Sequence, residues 1–98
     1  MLNIVNKSPL ERSSLESCLR VARGGALLLI EDAVYAACRG HASARAIVDA
    51  MQRMKVYVLQ PDLEARGVDG LVVDGVTAVD YGGFVDLVVE HSRTHSWL

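Results

Sequence analysis

Residues 26–30 read Ala-Leu-Leu-Leu-Ile, a run with no polar side chain in it. A half-buried strand alternates apolar and polar positions. A strand apolar at every position is covered on both faces, as in a parallel sheet flanked by helices. That single run directs the reading of the rest. Lys-Val-Tyr-Val-Leu at 55–59 is a second strand, closed by Gln60-Pro61, and Leu-Asn-Ile-Val-Asn at 2–6 and Val-Thr-Ala-Val at 76–79 are shorter ones. Between them the period changes to that of a helix. Leu15, Leu19 and Ala22 share one face while Glu16, Arg20 and Arg23 share another. Ile47, Met51 and Met54 repeat the spacing within 42–54, and Phe84, Leu87, Val88 and His91 repeat it within 81–91.

Punctuation supports these boundaries. Ser13-Ser14-Leu15-Glu16 spells a capping box, with the Ser13 hydroxyl and the Glu16 carboxylate serving the free amides of the first turn. Gly24-Gly25 is expected to stop that helix in a left-handed cap. Asp32 is expected to cap a second helix over 33–39 that ends at Gly40, and Asp80 to cap the last one. A single turn over 62–66 stops at Gly67. Residues 68–75 fit either a short strand or a loop packed inward, and Thr94–Leu98 fits an edge strand. Strand and helix in alternation predict one domain over residues 1–98: a three-layer α/β/α sandwich on a mostly parallel sheet of about five strands.

Charge and length exclude several classes. The net charge is −2, which argues against a direct nucleic-acid binder. Residues 1–55 carry eight Lys/Arg against five Asp/Glu, and residues 56–98 carry two against seven, an asymmetry read as solvated faces. No apolar run approaches the roughly 20 residues of a membrane span, and no long apolar segment follows the first residues. A cytoplasmic protein without membrane contact is expected. Two cysteines make neither a disulfide framework nor a zinc site, and no metal or cofactor is expected.

Few side chains suggest chemistry. Cys18 lies on the first helix at the margin of its apolar stripe. A partly exposed thiol there, near the helix N-terminus and near Arg12 and Arg20, would be acidified. From spacing alone, a small buried hydrophobe is the favoured reading. Cys38, four residues after Val34 at a helix end, reads as structural. Glu31-Asp32 follows a strand and Gly82-Gly83 opens a helix. Together they outline a ligand site at strand carboxyl ends, although capping and close packing are simpler uses. His41, His91 and His95 are dispersed. Trp97 is either tucked against the core or buried by another chain.

Several segments resemble the DsrH/TusB family. They are Leu2–Pro9 (LNIVNKSP), Leu15–Leu19 (LESCL), Leu28–Ala37 (LLIEDAVYAA), Val58–Gly67 (VLQPDLEARG), Asp80–Val88 (DYGGFVDLV) and Ser96-Trp97. No one segment is specific, but they occur in order along nearly the whole chain. The resemblance implies a DsrE-like fold. It implies a cytoplasmic heterohexamer with two related small α/β subunits, of DsrE/DsrF or TusD/TusC type. Such a complex passes persulfide sulfur to a downstream sulfur-carrier protein, for 2-thiolation of the tRNA wobble uridine or for sulfur oxidation. The main sulfur-carrying cysteine is then expected in a partner, which makes this chain an accessory subunit. Cys18 matches a cysteine of DsrH-type members and is the candidate auxiliary persulfide carrier. A scaffold subunit without chemistry, and a small ligand-binding module, are the alternatives.

Overall fold

The computed structural model describes residues 1–22 and 24–97. Five strands form one sheet: β1 (Leu2–Val5), β2 (Ala26–Leu29), β3 (Lys55–Leu59), β4 (Thr77–Val79) and β5 (Thr94–Trp97). Their order is β4-β3-β2-β1-β5 and every neighbouring pair is parallel. Four α-helices connect them among the described residues: α1 (Ser14–Val21), α2 (Ala44–Ala50), α3 (Gln60–Ala65) and α4 (Tyr81–Glu90). A 3₁₀ segment (Glu31–Ala37) precedes α2, and a 3₁₀ turn (Asp69–Leu71) precedes β4.

The strand order decides which face each helix covers. From β1 to β4 the chain steps one neighbour at a time in one direction. Right-handed crossovers therefore place α1, the 3₁₀ segment with α2, and α3 on one face. From β4 to β5 the chain runs back across the whole sheet, so the same handedness puts α4 on the other face. The cores follow. Val5, Leu27, Leu29, Val56 and Val58 meet Leu15, Ala33, Val34, Ile47 and Leu63 on the first face. Leu2, Ile4, Ala26 and Leu28 meet Leu87, with Phe84 beside them, on the second. Alternate residues of β1 and β2 point to opposite faces, and both sets are buried, which is why these strands carry almost no polar side chain. The exception is Asn3, 2% exposed, which donates to the Ala26 carbonyl and accepts from Trp97 Nε1 at 3.1 Å. Trp97 is thus tucked in, stacked on His95 at 4.4 Å.

The local expectations differ from the structure at four points. First, Ser13 precedes α1, but its ψ is 13° and its side chain makes no capping bond. Capping needs an extended residue that swings the hydroxyl over the first amides. Second, α1 ends at an extended Ala22, before the glycines. Gly25, with φ of 80°, instead lets β2 start against the N-terminus, where a Cβ would lie 2.3 Å from the Met1 carbonyl oxygen. Third, the second helix is a 3₁₀ segment, in which residues three apart eclipse. The small Ala33, Ala36 and Ala37 tolerate that and are fully buried with Val34. Fourth, Asp32 caps nothing; Ile30 holds the cap position without a side-chain bond. Residues 68–75 form a loop around the 3₁₀ turn, in which Val68, Val72 and Val73 pack inward while Leu71 stays exposed; it is pinned by a Cys38–Val72 bridge and by Arg39 donating to the Gly70 and Val72 carbonyls. Arg23 and Leu98, assigned to the first helix and the edge strand, lie outside the described residues.

Candidate functional site

Cys18 is held in the middle of α1, on its inward side, with none of its surface exposed. It shares the larger core with Leu15, Val5 and Leu27. Burial pushes the thiol up to about 11, and the Arg53 guanidinium pulls the other way. This is the small buried hydrophobe favoured from the spacing, not a partly exposed, acidified thiol. Arg20 turns to the Ser17 hydroxyl at 3.5 Å rather than to the sulfur. The spacing carried the warning: Leu15, Cys18 and Ala22 are three and four residues apart, which is the centre of an inward stripe and not its margin. Arg53 is the charged neighbour that spacing missed. It comes from beyond α2 and donates to the Leu19 and Ala22 carbonyls, satisfying the end of α1.

Cys38 is buried as expected, and its Sγ donates to the Val34 carbonyl at 3.5 Å. Burial raises its pKa too, against the pull of Arg39. Both thiols are free, and both are protonated packing groups in this conformation.

At the carboxyl ends of β2 and β3 four charged residues converge. Glu31 adopts φ of 51°, in the left-handed region that side chains with a Cβ rarely enter. Its amide donates to Asp62 Oδ2 at 2.6 Å, which helps hold that conformation. Asp32 pairs with Arg66 at 2.9 Å, and Arg66 also donates to the Asp62 carbonyl. The proposed partner of this group, Gly82-Gly83, is elsewhere. It opens α4, which follows β4, two strands from β2, and α4 covers the opposite face of the sheet. The Gly83 amide is also occupied: Asp80 Oδ1 accepts from it at 2.8 Å, the cap read from sequence. Gly83 serves close packing, since a Cβ there would lie 2.8 Å from Val79 Cβ. Gly83 is thus committed to capping and close packing, the simpler uses named from the sequence.

The histidines do not converge. His91 Nδ1 lies 2.9 Å from the Leu87 carbonyl, His95 is on β5, and His41 Nδ1 accepts from the Ser43 amide. Among the described residues no three His, Cys, Asp or Glu side chains gather as metal ligands would. A hollow of about 580 Å³ opens between Pro9–Glu16 and Ala42–Ala46, and neither Cys18 nor Asp32 lines it. No described helix is long and apolar enough to cross a membrane.

Comparison with known proteins gives a consistent result. Residues 7–94 match the family model described as DsrH like protein. The chain is 35% identical over 97 residues to a protein named TusB from Photorhabdus laumondii, covering 99% of this chain and all of the relative. It is 37% identical over 98 residues to a protein named TusB from Pectobacterium parmentieri, with the same coverage. The crystal structure of the ychN protein of E. coli superposes with a TM-score of 0.82 at 22% identity, over 97% of each chain. That likeness concerns the fold, which is DsrE-like as expected.

Proposed function

Because the chain belongs to the DsrH/TusB family of sulfur-relay subunits, we propose that it is one subunit of a cytoplasmic heterohexamer. Its partners are two related α/β subunits of TusD/TusC or DsrE/DsrF type, and the complex hands persulfide sulfur to a downstream carrier. The thiolation branch is the better supported. The observation that carries it is the end-to-end similarity to proteins named TusB, with no segment of either chain left over. Deleting the gene in its own organism and measuring 2-thiouridine in hydrolysed tRNA tests this. The reading expects thiolation to collapse; intact thiolation with lost sulfur oxidation would assign the other branch.

Within that complex the chain acts as a scaffold. A relay cysteine attacks as thiolate and must be reached by a partner sulfur. Cys18 is buried and its pKa is raised by burial, which supports a packing role. The carrier role for Cys18 is the second reading, favoured by one observation: Arg53 lies where its charge would stabilise a thiolate once α1 opened. Complementing the deletion with Cys18→Ala separates the two. Full thiolation agrees with a scaffold. Thiolation at the deletion level, with the complex still assembled, assigns sulfur carriage to Cys18.

A further inference from the structure

The sheet face under α4 has a small core, and α4 carries a second apolar surface that stays exposed. Phe84 and Leu87 point inward. Tyr81, Val85, Val88 and Val89 recur at helical spacing on another flank, with exposures of 62%, 59%, 40% and 79%. A helix normally keeps its solvent flank polar. Four large exposed apolar side chains in one stripe are the mark of an interaction surface rather than of scattered exposure.

Charge identifies what covers it. On the helical wheel Asp86 and Glu90 follow Val89 and border the stripe. Both are exposed, and neither pairs with a cation among the described residues. An antiparallel pairing of two copies about the middle of α4 would bring the two Asp86 carboxylates into one seam, an unfavourable arrangement. A different protein with Lys or Arg around an apolar patch fits both the stripe and its border.

We propose that the Tyr81-Val85-Val88-Val89 flank of α4 docks a basic-bordered apolar face of a different subunit, and not a second copy of this chain. The inference rests on the reading of the chain as a complex subunit and names the surface it uses. Apolar contact supplies the buried centre, while Asp86 and Glu90 steer and orient the partner from the rim.

The test co-expresses the full chain with the TusD- and TusC-type subunits of its own organism and follows assembly by size-exclusion chromatography with light scattering. Val85→Asp with Val89→Asp should weaken assembly at least tenfold, while the isolated double variant melts as the wild type does. Asp86→Lys with Glu90→Lys should weaken assembly less and remove part of its salt dependence. Val48→Asp, a change at an exposed apolar residue on α2, should leave assembly unchanged. Assembly that survives the Val85/Val89 change overturns the docking surface and leaves the subunit reading standing. A wild-type chain that self-associates alone, and stops on that change, shows that a second copy covers α4 and overturns the partner assignment. Failure of the wild-type chain to assemble at all overturns the subunit reading and this inference with it.

Discussion

The two faces of the sheet are built differently. On one, α1, the 3₁₀ segment, α2 and α3 close over the strands, and the core includes Cys18, Ile47, Val58 and Leu63. On the other, α4 alone crosses the sheet, and only Leu87 of that helix is buried. The first face is finished by this chain. The second has a comparable set of strand side chains, Leu2, Ile4, Ala26 and Leu28, under a single helix that also shows apolar residues outward. The difference teaches where stability and association reside. A face with a complete core resists chemistry and change, and it is where Cys18 sits. A face with a single helix leaves apolar surface for another protein, as the two sides of an assembly interface do.

The largest expected effect tests that contrast directly. Leu27→Ala on the thick face should cost about 2–5 kcal/mol in urea denaturation, the range for a large-to-small change in a core that cannot collapse. Leu87→Ala under α4 should cost less, because a lone helix can settle into the space. Equal costs would break the distinction between the faces.

Next is the alkaline limb of stability. The folded state raises the Cys18 pKa above its ordinary value, to about 11, so the native state holds a proton that the unfolded chain releases. Stability contributed by the neutral thiol is present at lower pH and is lost as pH rises from the unfolded value through the folded one. A shift of this size corresponds to about 2–3 kcal/mol. Denaturation of wild type and Cys18→Ala from neutral pH to about pH 11 should show a decline that is shallower in the variant. Parallel profiles would mean that Cys18 is not the buried acid described here.

Gly83→Ala sharpens the comparison from the α4 side. The added Cβ meets Val79 Cβ at 2.8 Å, so α4 must lift from β4, at about 1–3 kcal/mol. Thermal melting that is unchanged would show that the helix has slack. The smallest effect is expected at Asp32→Asn. Its ion pair with Arg66 is half exposed on the carboxylate side, and such pairs contribute about 0–1 kcal/mol. A larger loss would indicate that the charged group at the ends of β2 and β3 is more than a surface network.

The sequence by itself determined much of this protein. The apolar run at 26–30, the strand pattern at 55–59, helical spacing between the strands and Asp80 before Gly82-Gly83 were enough for the sheet, its parallel sense and the last helix with its cap. Segment order along the chain was enough for the family. These are features that each residue shows to its near neighbours. Tertiary structure decided the rest, because it depends on groups distant in sequence. Whether Cys18 is acidic or inert turns on the strands beneath α1 and on Arg53. Whether Asp32 caps or pairs turns on Arg66, thirty-four residues on. That α4 lies alone on its face follows from the strand order, since only the return from β4 to β5 reverses direction, and a right-handed crossover then has no other side to take.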